Sequence, residues 1–239
     1  MLALEDDLIS EYIAFQKGKK SGYNKDTIIK LFKYLHLPFK MSVQQKNDIG
    51  LSDEVAKSLA DNGTVKIRNF IDEEALISAT KLKIMLAKDR TCGTYPYPYI
   101  NILDDETDVS FTATYKSGEN RDKATEHIKA LLKDANSIKI YDRYLSANSS
   151  WNSNKQVLFD ILPQKTIQID IYCEHNWNIS RKTDLTTVCI DWTINKENWD
   201  FTVHDRYIET DRVIILLSSG IINLSSASTK DFTYIVKIK

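Results

Sequence analysis

His204, Arg206 and Asp211 stand in an H-x-R-x-x-x-x-D spacing, and Ser218 and Ser219 follow at the end of the apolar run 213–217. An imidazole held beside a guanidinium makes a site for a phosphate. The arginine pairs two oxygens through its planar fork, while the histidine attacks, donates a proton or hydrogen-bonds. To act together the two must share a face. Residues 199–209 alternate as a strand does, with Phe201, Val203, Asp205, Tyr207 and Glu209 on one side and Thr202, His204, Arg206 and Ile208 on the other. The run 212–217 is apolar after its first residue and reads as a central strand, which brings Ser218 and Ser219 to its end near the same pocket. Asp142 and Arg143 follow the strand-like stretch 137–141 and are further candidates, because open α/β sheets place ligand groups at the carboxyl ends of their strands. Asn223, within the serine-rich tract 218–228, adds a polar group.

This stretch resembles a single half of the phospholipase D superfamily motif, H-x-K-x4-D-x6-G-S-x-N, with Arg206 in place of the lysine, Ser218 in place of the glycine and Ile221 in place of the asparagine. It is more similar to the phospholipase D-like domain at the C-terminus of MIT-domain proteins. That domain carries an I-H-D-R segment and a later R-G-L-D where this chain has Ser219-Gly220-Ile221-Ile222. Residues 137–145, SIKIYDRYL, resemble its opening strand, and the likeness spans residues 120–239.

The resemblance implies roles. His204 forms a phosphohistidine or protonates the leaving group, Arg206 holds the phosphoryl oxygens and Asp211 supports the constellation. Two half-motifs complete one site in the superfamily and this chain carries one, so the resemblance implies a homodimer. The activity implied is a metal-independent phosphodiesterase, a nuclease working through His204 without a cofactor. The exchanges at Ser218 and Ile221 imply the alternative: a non-catalytic phosphate-binding module for a lipid head group, nucleotide or nucleic acid, acting as an adaptor.

Bulk composition narrows the setting. Apolar residues make up 42% and charged residues 27% of 239 positions, the balance of an ordinary globular protein. Net charge is −1, so attraction to a polyanion must come from a local patch. No apolar run approaches the roughly 20 residues that span a bilayer, and the acidic start is unlike a signal peptide, which predicts a cytoplasmic protein without a transmembrane segment. Cys92, Cys173 and Cys189 form no C-x-x-C pair, and His36, His127, His175 and His204 are scattered, so neither a disulfide framework nor a metal site is expected.

The elements that must position these residues divide the chain into three. Residues 1–90 read as a mainly helical N-terminal region for packing or for a protein partner: helices over 3–17 and 26–35, a polar connector over 40–51, a short helix from the Ser52 cap to Gly63, a short strand over 64–70, and a longer helix from the Asp72 cap to residue 88. Residues 91–118 begin with TCGTYPYPY, whose prolines forbid helix, with Tyr95, Tyr97 and Tyr99 on one face. A hairpin follows, with arms at 99–103 and 109–115. Residues 119–239 read as the phospholipase D-like domain: a helix over 119–135 with Ala124, His127, Ile128, Leu131 and Leu132 inward, a strand over 137–141, a helix over 154–162, strands over 166–173 and 186–194, the strand bearing His204, and a closing strand over 232–238. The fold class expected is α/β, a mixed-sheet domain behind a helical region.

Overall fold

Short apolar runs that are buried at every position become strands covered on both faces. In this computed structural model, which describes residues 2–33, 38–88, 97–103, 110–174, 177–225 and 228–239, two such runs are Leu2–Leu4 (β1) and Met85–Ala87 (β4). They lie side by side, with Phe39–Ser42 (β2) and Val65–Arg68 (β3) beyond β1 and Tyr99–Asn101 (β5) beyond β4. The order β3-β2-β1-β4-β5 is parallel throughout. This sheet belongs to the first of two compact units, Met1–Val109 and Ser110–Lys239.

Helices Asp6–Gln16 (α1), Lys25–Phe32 (α2), Val43–Asp48 (α3), Asp53–Asp61 (α4) and Glu73–Ser78 (α5) connect the strands. Their starts are written in the sequence: the Asn24, Ser52 and Asp72 side chains each accept from backbone amides of the first turn, and Ser42 with Gln45 forms a reciprocal capping box. Helices hold more residues than strands here, as expected, but the sheet organises them. Three stretches differ from expectation. The helix expected over 3–17 begins only at Asp6, because Leu2–Leu4 is β1. Residues 40–51 are not a connector, because Phe39 and Met41 are fully buried and the chain forms β2 and α3. The helix from Asp72 stops at Ser78. Lys83 has a φ of 54°, outside helical space, and the apolar run after it extends into β4.

The second unit is built on a mixed sheet, ordered β6-β12-β11-β10-β7-β8-β9: Ser110–Tyr115 (β6), Ser137–Tyr141 (β7), Ile167–Tyr172 (β8), Trp192–Glu197 (β9), Arg206–Thr210 (β10), Val213–Leu217 (β11) and Phe232–Ile238 (β12). β7, β8 and β9 are parallel, and the other pairings are antiparallel. Alternation sets the faces. Ile138, Ile140, Ile169, Ile171, Ile208, Ile215 and Val236 are fully buried on one face, where each isoleucine contributes about 1.5–3 kcal/mol. Asp122–Lys133 (α6) buries the residues expected of it, and its His127 Nδ1 lies 2.8 Å from the Tyr234 hydroxyl, so that histidine is a core residue. Trp151–Ile161 (α7) packs beside α6, and Ile179–Thr186 (α8), which reads as loop in the sequence, precedes β9. On the other face Tyr172, Tyr141 and Tyr207 stack across β8, β7 and β10, with ring centroids 4.0 and 4.1 Å apart.

The two expected arms of a hairpin pair apart: β5 with β4 in the first unit, β6 with β12 in the second. Tyr95 lies outside the described residues, as do His36, Cys92 and His175. No helix among the described residues is long and apolar enough to cross a membrane.

Candidate functional site

The three parallel strands β7, β8 and β9 end on the same edge of the second sheet, and the chain collects charged and aromatic side chains there. Asp142, Arg143 and Tyr144 follow β7, Glu174 follows β8, and Trp199 and Phe201 follow β9. β10 runs antiparallel to β7, with Tyr207 opposite Tyr141, so its first residue, Arg206, falls opposite Asp142. Arg143, Tyr144, Trp199, Phe201, Val203, His204 and Arg206 line a cleft of about 200 Å³.

Asp142 is the anchor. It is 2% exposed, yet both oxygens are engaged: Oδ1 accepts from the Tyr144 amide at 3.1 Å and Oδ2 from the Ile221 amide at 2.9 Å. Its Oδ1 also lies 3.5 Å from Arg206 Nε, an electrostatic contact whose N–H is not directed at the oxygen. Gly220 lies close by, and a Cβ there would sit 3.4 Å from Asp142 Oδ2, at the near edge of ordinary contact. Arg143 donates through Nε to Glu174, and this hydrogen bond raises the arginine's pKa further. Both guanidinium groups lie over the Tyr144 ring, 5.3 Å (Arg143) and 6.0 Å (Arg206) from its centroid.

Each arginine is thus turned by a carboxylate near Nε, and its terminal nitrogens pair with no described residue. That leaves two planar forks able to take anionic oxygens in pairs. His204 is exposed and has no hydrogen-bond partner among the described residues. It lies before β10 and not within it. Asp200 folds the chain into a turn, accepting from the Thr202 amide at 2.9 Å while its carbonyl takes the Val203 amide at 3.0 Å, so the alternation over 199–209 becomes strand only from Arg206.

Of the residues singled out in the sequence, His204, Arg206 and Arg143 line the cleft and Asp142 backs it. Asp211 lies past the far end of β10, about 16 Å along the strand from Arg206 at the usual rise. There it accepts from the Asn136 amide and side chain at 2.9 and 2.8 Å. Burial pushes its carboxyl up, but the Asn136 hydrogen bonds outweigh this and its pKa is lowered. Ser218 Oγ accepts from the Thr233 amide at 2.8 Å, tying β11 to β12. Ser219 Oγ is buried without a described partner, and Asn223 Oδ1 accepts from Ser228. None of these four lines the cleft. Tyr144, Trp199 and Phe201 were not singled out; the signal available was the D-R-Y repeat at 142–144 and 205–207 and the pair of aromatics flanking Asp200. Among the described residues no three His, Cys, Asp or Glu side chains gather as a metal-holding group.

No protein-family model matches the chain, and no curated protein matches it in sequence. Solved structures similar to it include NucT from Helicobacter pylori, at 11% identity over 53% of this chain and 84% of that one, with a TM-score of 0.34. Phosphatidylserine synthase from Haemophilus influenzae matches at 8% identity over 53% of this chain and 34% of that one, TM-score 0.28. Polyphosphate kinase from Porphyromonas gingivalis matches at 11% identity over 54% of this chain and 23% of that one, TM-score 0.32. The chain therefore spans well under two thirds of the last two proteins. At this degree of likeness, no site or activity is carried over from any of them.

Proposed function

We propose that this chain is a phospholipase D-like module that binds the phosphate of a phosphodiester in the cleft formed by Arg143, His204 and Arg206. The observation that carries the proposal is the pair of guanidinium groups lining one cleft: Arg143 Nε is hydrogen-bonded to Glu174, Arg206 Nε lies 3.5 Å from Asp142, and the terminal nitrogens of both pair with no described residue. Asp142 and Glu174 temper the local charge, and the Glu174 hydrogen bond holds the Arg143 fork, so a bound phosphate meets a donor already in place. The test is calorimetric titration with a short oligonucleotide at two salt concentrations. The unmodified protein should bind, and more weakly at higher salt. Arg206→Gln should lower affinity about tenfold or more, as expected for a charge-assisted contact of roughly 1.5–3 kcal/mol. Absence of binding by the unmodified protein, or an unchanged affinity in the variant, refutes the proposal.

A second reading, turnover, is favoured by the exposure of His204 beside Arg206. An imidazole open to solvent at the cleft mouth can attack phosphorus or protonate a leaving oxygen, and a homodimer would supply one histidine for each task. Hydrolysis of DNA or RNA that persists in excess EDTA and is abolished by His204→Asn would establish it. Binding without hydrolysis would leave the module an adaptor.

A further inference from the structure

The walls of the cleft carry more than charge. Phe201 is 66% exposed and Tyr144 46% exposed, while Trp199, which also lines the cleft, is 9% exposed. A single exposed apolar side chain is ordinary, as Ile71, Ile179 and Ile190 show, but here two exposed aromatic rings share one cleft with Arg143 and Arg206. Tyr144 already carries guanidinium groups against its ring, which leaves Phe201 as the open platform. At about 200 Å³ the cleft falls below the roughly 300–1,000 Å³ that encloses a whole small-molecule ligand, so it suits one repeating unit of a chain that continues into solvent.

We infer that the aromatic rim is a nucleobase subsite: Phe201 stacks the base of a single-stranded nucleic acid whose adjoining phosphate is held by Arg206 and Arg143. The inference rests on the phosphate-binding reading above and narrows its ligand. A base and its phosphate are separated by one sugar, the spacing that a flat platform beside a cationic fork requires, and every base offers a π-face to the ring. In a duplex those faces are occupied by neighbouring bases, so the subsite selects single strands. A lipid head group supplies the phosphate but no flat ring, and would leave Phe201 uncovered.

The experiment compares fluorescence-anisotropy binding curves of the full chain for a short single-stranded DNA, the same strand with abasic sites throughout, its duplex, and phosphoinositide-containing vesicles. Phe201→Ala should weaken single-stranded DNA about 5- to 100-fold, the effect of losing one base–aromatic stack, and leave the abasic strand unchanged. Phe201→Tyr, which keeps the ring, should restore binding. Arg206→Gln should weaken both strands. If Phe201→Ala changes nothing while Arg206→Gln weakens both, the base subsite is refuted and the phosphate site stands. If Arg206→Gln changes neither, the phosphate site itself is refuted. Equal affinity for duplex, or tighter binding to the vesicles than to the single strand, also overturns the inference. Phe201 is exposed in a turn, so its substitution leaves the fold intact, which a thermal melt verifies.

Discussion

Asp142 and Asp211 look alike in the sequence, since each is an acidic residue at a strand end near an arginine, but their surroundings give them different work. Asp142 is buried and holds the Tyr144 amide, the Ile221 amide and, through charge, Arg206. An asparagine has one acceptor oxygen, so Asp142→Asn must leave one of those amides facing an N–H and remove the charge opposite Arg206. The expected cost is about 1–3 kcal/mol in urea unfolding, together with a misaligned Arg206 and weaker ligand binding. Asp211 accepts from Asn136 and lies 3.8 Å from Arg212 Nε, at the far end of β10. Asp211→Ala should therefore lower stability by about 0.5–1.5 kcal/mol and leave ligand affinity unchanged in the same titration. A loss of affinity in that variant would place Asp211 in the site. The tripeptide Asp-Arg-Tyr at 142–144 and 205–207 makes the same point: one copy is a loop after β7, the other leads into β10. Spacing identified Arg206 and its place after a strand identified Arg143, but the neighbouring strands decide what each aspartate meets.

Elements with strong alternation or a cap were legible in the sequence. β7, α6 and β12 follow from period-2 and period-3.6 patterns, and Asn24, Ser52 and Asp72 act as the caps their types allow. β1 and β4 were not legible, because three buried residues have no measurable period and merge with the helical patterns on either side. Their identity is settled by parallel partners far along the chain. Nor was α8, whose buried face is Leu185 alone. Its attachment is polar: Asp184 accepts from the Trp151 indole at 2.7 Å and pairs with Lys155 of α7 at 3.4 Å. The indole hydrogen bond is the main cause of the lowered pKa of Asp184; burial, the next largest effect, opposes it, and Lys155 and Arg181 add to the lowering. The ionised form is thus favoured by folding. Its contribution is complete above the ordinary carboxylate value and is lost as pH falls through the depressed folded value. Asp184→Asn keeps an oxygen for the indole but no charge for Lys155. In urea melts the unmodified protein should be the more stable at neutral pH, and the difference should shrink towards pH 2.5. A difference that stays constant with pH would show that the charge contributes nothing.

At the scale of the whole molecule the open question is how many chains make one working site. Among the described residues the second unit has two histidines, His127 in the core against Tyr234 and His204 at the cleft, so of these only His204 is open to a ligand. Displacement at phosphorus through a covalent histidine needs a nucleophile on one side and a proton donor on the other. One imidazole cannot serve both in the same step. If the protein turns over by this route, two chains must meet about a two-fold axis, and the reaction order reports it. Hydrolysis per chain should rise with protein concentration while dilute and level off once pairs are complete. Mixing equal amounts of unmodified chain and His204→Asn should leave only about a quarter of randomly formed pairs with both histidines, so activity should fall well below half. A rate per chain that is independent of concentration, with activity falling only to half on mixing, would mean that one chain suffices and that the second catalytic group comes from the same chain. Under the binding reading no rate appears at any concentration, and the same mixture still binds ligand through its intact Arg143 and Arg206.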